Sequence, residues 1–144
     1  MTACERQMPI LLVEDDDVDA EAMVRSLRAA GFEGQIVLAR DGHDALEILR
    51  RENELRRRKR SFLVLLDLGL PRMGGHEFLD RLRADSSLDH NVVFVLTASM
   101  AEGDRSCSYR KNVAGYMVKS DTDPGFSTAM ALIDMYRATL VPPA

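Results

Sequence analysis

The sequence predicts an α/β protein in which five parallel strands alternate with helices that cover both faces of one sheet. Three observations carry this expectation. Short apolar runs recur along the chain between amphipathic stretches, the pattern of repeated strand–helix units. One run, Phe62-Leu63-Val64-Leu65-Leu66, is apolar without alternation, as a strand buried on both faces requires. It ends in a single carboxylate, Asp67, and Gly69 and Pro71 beyond it mark a loop.

The elements follow in order. Pro9-Ile10-Leu11-Leu12-Val13 is apolar and β-branched, giving a strand near 9–14 that runs into Glu14-Asp15-Asp16-Asp17. Asp16 or Asp17 then caps a helix near 17–30, whose inward face is Ala20, Met23, Val24 and Leu27. A second strand is expected near 34–39, followed by a helix near 42–56 with Ala45, Ile48 and Leu49 inward. The central strand at 62–67 leads to a helix near 74–84 presenting Phe78, Leu79 and Leu82. Strands near 92–97 and 115–118 complete the sheet, with helices near 100–112 and 124–139. The segment Ser99 to Asn112 is mostly polar, with Met100, Cys107 and Tyr109 scattered through it, so that helix should pack lightly. Phe126, Ala129, Met130, Ile133 and Tyr136 give the last helix a strong apolar face.

Composition bounds the class. A chain of 144 residues suits one domain with a proper core, and 46% hydrophobic with 29% charged residues is ordinary for a globular protein. There are no repeats, low-complexity linkers or signs of a second domain. The two cysteines, Cys4 and Cys107, form neither a disulfide framework nor a metal spacing. No apolar run reaches the length of a membrane span, and no secretory signal opens the chain, so a cytoplasmic location is expected. Charge is lopsided. Residues 50–60 hold seven Lys or Arg against Glu52 and Glu54, a segment of +5, and the remainder carries −9. Such a run is commonly a solvated helix end, and Lys or Arg is favourable at a helix C-terminus. No aromatic residue interleaves with it, so neither a nucleic-acid nor a membrane partner is expected.

The carboxyl ends of the strands carry the chemistry, as they do in open α/β sheets. A lone acid after an apolar run is most often a turn or cap residue, and a strand-end Thr or Lys is usually a β-former or a solvated charge. Glu14, Asp15, Asp67, Thr97 and Lys119 all fall at such ends, however, and that coincidence outweighs the bland readings. Glu14 and Asp15 beside Asp67 make an oxygen-rich pocket suited to a hard cation such as Mg²⁺. With one acceptor carboxylate, one hydroxyl and one fixed cation, the set is what phosphoryl transfer to a carboxylate needs.

In this order of acid pair, Asp67 in D-x-x-x-P, Thr97-Ala98 and Lys119, the chain closely resembles the receiver domain of two-component response regulators. Thr97 lies 30 positions and Lys119 52 positions beyond Asp67, spacings that match that family, and the resemblance covers essentially the whole chain. The long second-helix region with its Arg run, the stretch Asn112 to Tyr116 and the tail from Tyr136 to Pro142 look most like single-domain, stand-alone regulators associated with phytochrome-type histidine kinases.

The resemblance implies a flavodoxin-like (βα)5 doubly wound sheet in the order 2-1-3-4-5, with the first and fifth helices on one face. It also implies a phosphorelay role as a non-enzymatic phosphoprotein that assists its own phosphorylation and dephosphorylation. Asp67 would take the phosphoryl group from a kinase phosphohistidine. Mg²⁺ would sit on Asp15, Asp67 and the backbone carbonyl of Gly69, with Glu14 holding a coordinated water. Thr97 and Lys119 would bind phosphoryl oxygens, and Ala98 would leave them room. Movement of Thr97 would free space that the ring of Tyr116 fills, switching the face made by the fourth helix, the fifth strand and the fifth helix.

Three departures from the family stand out. Ser120 replaces a proline that is usually cis, and because a non-proline cis bond costs roughly 2.5–4 kcal/mol, a trans Lys119–Ser120 bond is expected. Gly74 stands where Asp or Asn is common, weakening the third helix cap. Glu14 replaces the more usual Asp and reaches further. With 25 residues after Lys119, no output domain is expected. Output would pass through a downstream phosphotransfer or target protein, the kinase itself, or a homodimer built on the fifth helix and the tail Leu140-Val141-Pro142-Pro143. A Mg²⁺-dependent aspartyl-phosphate hydrolase is the competing class, but it needs a second acid two residues after the nucleophile, where Gly69 stands. A binding module that is never phosphorylated would have no use for the complete set of acids, Thr97 and Lys119.

Overall fold

Ile10 to Val13 are buried without exception, and so are Leu63 to Leu66, which is why these two runs lie side by side at the centre of the sheet. The computed structural model describes residues 9–29, 31–55, 62–67, 75–88, 91–97 and 115–118, and within 55, 96–97 and 115–118 the backbone alone. Its strands are β1 (Ile10–Val13), β2 (Ile36–Ala39), β3 (Leu63–Asp67), β4 (Val92–Thr97) and β5 (Gly115–Val118). Helices α1 (Asp17–Ala29), α2 (Gly42–Leu55) and α3 (Gly75–Ala84) follow the first three strands. All pairings are parallel and the order is β2-β1-β3-β4-β5, as expected. No helix among the described residues is long and apolar enough to cross a membrane.

The alternation of each strand divides the core in two. Leu11, Val13, Val64, Leu66, Val93 and Val95 face α2 and α3, where they meet Ala45, Leu46, Leu49, Phe78, Leu79 and Leu82. Ile10, Leu12, Leu63 and Leu65 face α1 and its Ala20, Met23 and Leu27, with Phe32 closing the end. The apolar faces read from the sequence for α1, α2 and α3 hold, with two adjustments. Leu46 is fully buried in α2 while Ile48 is half-buried at the margin, and Val24 is likewise marginal in α1.

Both ends of α1 and the start of α2 have local causes. Asp16 is the cap of α1, its Oδ1 accepting the N–H groups of Val18 (2.8 Å) and Asp19 (3.0 Å). Beyond α1 the chain turns at Gly31, whose φ of 96° is the left-handed conformation glycine supplies. There the N–H of Gly31 donates to the Arg28 carbonyl and that of Phe32 to the Leu27 carbonyl, both at 3.1 Å, in a Schellman pattern. Arg28 completes the turn. Its Nη1 donates to the carbonyls of Phe32 and Gly34 at 2.9 Å, and its guanidinium lies 5.5 Å from the Phe32 ring centroid. With the Gly34 carbonyl engaged by Arg28, β2 begins at Ile36 rather than at 34. Asp41, buried at 2% exposure, caps α2 by accepting the N–H of Asp44 at 2.8 Å.

The opposite end of the sheet is fastened by Asn91, which is 3% exposed. Its Oδ1 accepts the Phe62 N–H and its Nδ2 donates to the Leu88 carbonyl, both at 2.7 Å, while Arg83 Nη1 donates to its backbone carbonyl at 3.1 Å. One side chain thus ties the entries of β3 and β4 to the turn after α3. The expected helices at 100–112 and 124–139, the run 56–60, Gly74 and the Lys119–Ser120 bond lie outside the described residues.

Truncating Asn91 to Ala leaves the buried Phe62 N–H without its acceptor, so Asn91→Ala should lower unfolding free energy by about 1–3 kcal/mol. Urea denaturation measures this, and an unchanged midpoint would remove the role given to Asn91.

Candidate functional site

Residues two apart in a strand share a face. Ile10 and Leu12 point toward α1, and so do Leu63 and Leu65. Carrying that alternation one step further brings Glu14 and Asp67 to the same side. The register does the rest. Ile10 pairs with Leu63 and Val13 with Leu66, so the next positions, Glu14 and Asp67, stand opposite one another where the two strands end. Glu14 is anchored by its own N–H, which donates to the Ala39 carbonyl of β2 at 2.9 Å. The Asp16 cap then fixes the turn that carries Asp15.

One carboxylate oxygen from each of Glu14, Asp15 and Asp67 lies within 4.8 Å of the others. Glu14 is 5% exposed and Asp67 half-buried, while Asp15 is exposed, so burial deepens from Asp15 through Asp67 to Glu14. Three carboxylates so close repel one another, the more so where one is withdrawn from water. A divalent cation relieves that repulsion. The donor set fits one: all three are hard oxygen ligands, and oxygens on opposite sides of a cation bound at about 2.0–2.1 Å stand about 4 Å apart. The structure thus brings together the three carboxylates singled out in the sequence, Glu14, Asp15 and Asp67.

Of the remaining candidates, Thr97 and Tyr116 are placed by backbone register. Asp67 ends β3 and pairs with Leu96, so Thr97, the last residue of β4, is one step beyond it. Thr97 pairs with Val118, the last residue of β5. Tyr116 pairs with Val95. The ends of four adjacent strands thus share one edge of the sheet. Lys119, Gly69 and Ala98, and the side chains of Thr97 and Tyr116, lie outside the described residues.

Two features beside the site were missed in the sequence. Arg40 forms an ion pair with Asp17 at 2.7 Å, a contact between positions 23 apart that no local pattern signals. Asp41 as a buried cap was legible in principle, because Asp41-x-x-Asp44 has the spacing of a capping box.

Comparison with known proteins places these features in a wider set. The response regulator receiver domain family matches residues 10–129. The chain is 39% identical over 110 residues to the probable methanogenesis regulatory protein FilR2 of Methanothrix harundinacea, covering 76% of this chain and 70% of that protein. It is 35% identical over 111 residues to the response regulator Rcp1 of Synechocystis sp., covering 77% and 76%. The crystal structure of the Mn²⁺-bound form of Rcp1 superposes with a TM-score of 0.81 at 31% identity, over 95% of this chain and 99% of that one. The phosphorylated cyanobacterial phytochrome response regulator RcpA superposes with a TM-score of 0.82 at 30% identity, over 96% and 99%.

The crowding of carboxylates predicts a stability signature. A divalent cation should raise the unfolding free energy by about 2.7 kcal/mol at a free concentration 100 times its dissociation constant, and the denaturation midpoint with it. In metal-free buffer Asp67→Asn should be at least as stable as the parent, since a repelling charge is gone, and it should lose most of the metal-induced gain. Thermal denaturation with Mg²⁺, Mn²⁺ or a chelator reads this, and a parent midpoint indifferent to all three would count against the site.

Proposed function

The chain belongs to the response regulator receiver domain family, and from that premise we propose that a histidine kinase phosphorylates it on Asp67 in a Mg²⁺-dependent reaction that switches its protein–protein contacts. Family membership itself implies a part in phosphorelay signalling, as a phosphoryl acceptor rather than as an enzyme acting on a separate substrate. The observation that carries the finer reading is the convergence of Glu14, Asp15 and Asp67 at the ends of adjacent strands.

In this reading an Asp67 oxygen attacks the phosphorus of a phosphohistidine in line. A P–O bond forms as the P–N bond breaks, and the departing electron pair stays on the kinase imidazole. Half-burial suits Asp67 to this, being reachable from the open edge of the sheet yet held by its strand. Asp15, Asp67 and the Gly69 carbonyl would hold Mg²⁺, with Glu14 on a coordinated water, and the ion would supply positive charge to the phosphoryl oxygens. Lys119 supplies a fixed cation and Thr97 a hydroxyl donor to those same oxygens. Tyr116 then reports the state of Thr97 to the surface around 100–112 and 124–139.

The likeness to Rcp1 and RcpA supports a phytochrome-type kinase as donor, since RcpA is itself a phytochrome response regulator. A downstream phosphotransfer or target protein receives the signal. A homodimer through 124–139 and the tail 140–143 is a further route for output, supported by the apolar residues Phe126, Met130, Ile133 and Leu140.

Phosphotransfer from a purified kinase tests the chemistry. Asp67→Asn should abolish incorporation, because the nucleophilic oxygen is replaced by an amide. Asp15→Asn should weaken Mg²⁺ binding and with it the transfer, whereas Lys119→Ala should keep Mg²⁺ binding and still impair transfer. Label retained by Asp67→Asn would falsify the central assignment. Light scattering at high micromolar concentration, with and without beryllofluoride, tests the dimer, and a monomer under both conditions would exclude it.

A further inference from the structure

Four carboxylates follow one another from the end of β1 into the first residue of α1, and Glu14 and Asp15 belong to the acid cluster with Asp67 while Asp16 and Asp17 do not. Asp16 is occupied by capping. Asp17 is bound from the end of the neighbouring strand β2, its Oδ1 accepting a 2.7 Å bond from Arg40 Nη2. Arg40 directly follows Ala39, the last residue of β2, and the Ala39 carbonyl is the acceptor for the Glu14 N–H. The acidic turn is therefore attached to the end of β2 twice, by a backbone bond at Glu14 and by an ion pair at Asp17, with Asp15 between the two attachments. The base from which Arg40 reaches is itself held. Its N–H donates to Asp44 Oδ2 at 3.3 Å, and the Asp44 N–H donates to the buried Asp41 cap.

We propose that Arg40 is a positioning residue for the cation site, holding the turn through Asp17 so that Asp15 stays turned toward Asp67. The inference rests on the metal-dependent reading above and adds a residue to it. A through-space effect is the rival physical account, and the two differ in sign. If Arg40 and Asp17 acted only by charge, removing the cation would tighten Mg²⁺ binding and removing the carboxylate would weaken it. If they act by holding the turn, removing either weakens it. Exposure favours the second account, because the side chains are 71% and 79% exposed and water and salt screen their field at the site, whereas the direct contact persists.

The experiment is calorimetric titration of the full chain with MgCl₂ at about 0.15 M salt, comparing the parent with Arg40→Gln, Asp17→Asn and Arg40→Lys. Both Arg40→Gln and Asp17→Asn should bind Mg²⁺ about two- to five-fold more weakly, the range an exposed ion pair supplies. Arg40→Lys keeps a cation of similar reach and should stay within about twofold of the parent, the residual spread of a well-formed surface pair. Opposite shifts in Arg40→Gln and Asp17→Asn, or no shift in either, would overturn the role of Arg40 while leaving the metal site standing. A parent that binds no Mg²⁺ would sink both. Circular dichroism on each variant confirms that the fold is retained, as substitution at two exposed positions requires.

Discussion

The pairing of β1 with β3 is the constraint on which the rest of the molecule depends. Its register, Ile10 with Leu63 through Val13 with Leu66, decides at once which side chains enter each half of the core and which carboxylates meet at the strand ends. A slip of β1 by one residue against β3 would send Leu11 and Val13 to the wrong layer. It would also part Glu14 from Asp67. Packing and site geometry are consequently the same specification, written in the apolar residues and read out by the acids that follow them.

The two ends of the sheet are built on opposite principles. At the entry of β3 and β4 the buried polar groups of Asn91 and Phe62 are matched, donor to acceptor, and Arg83 adds a third bond. At the exit, Glu14, Asp15 and Asp67 are brought together with like charge, a local conflict of the kind that marks functional sites in otherwise consistent folds. The satisfied end stabilises the arrangement that the crowded end opposes.

Much of this was legible in the sequence, and the boundary of legibility is physical. Continuous apolar runs declare central strands because both faces of a parallel sheet are covered, so β1, β3 and the acids at their ends were readable directly. The inward faces of α1, α2 and α3 followed from helical periodicity, though the buried stripe of α2 runs through Leu46 and leaves Ile48 at its margin. Asn91, Arg28 and Arg40 were not readable. Each acts by reaching a backbone carbonyl, an N–H or a carboxylate whose position is set by the finished fold, and none leaves a periodic trace. The β2 boundary failed for the same reason, since a guanidinium from α1 holds the carbonyl of Gly34.

The separation of β1 and β3 along the chain also has a consequence for biogenesis. Leu63 lies 53 positions beyond its partner Ile10, with α1, β2 and α2 between them. Closing so long a connection is entropically demanding, and contacts of this kind form late in folding relative to local helices. The acid cluster comes into being only with that closure. A nascent or partly folded chain, however helical, lacks the grouped carboxylates, so the acid cluster appears together with the completed sheet.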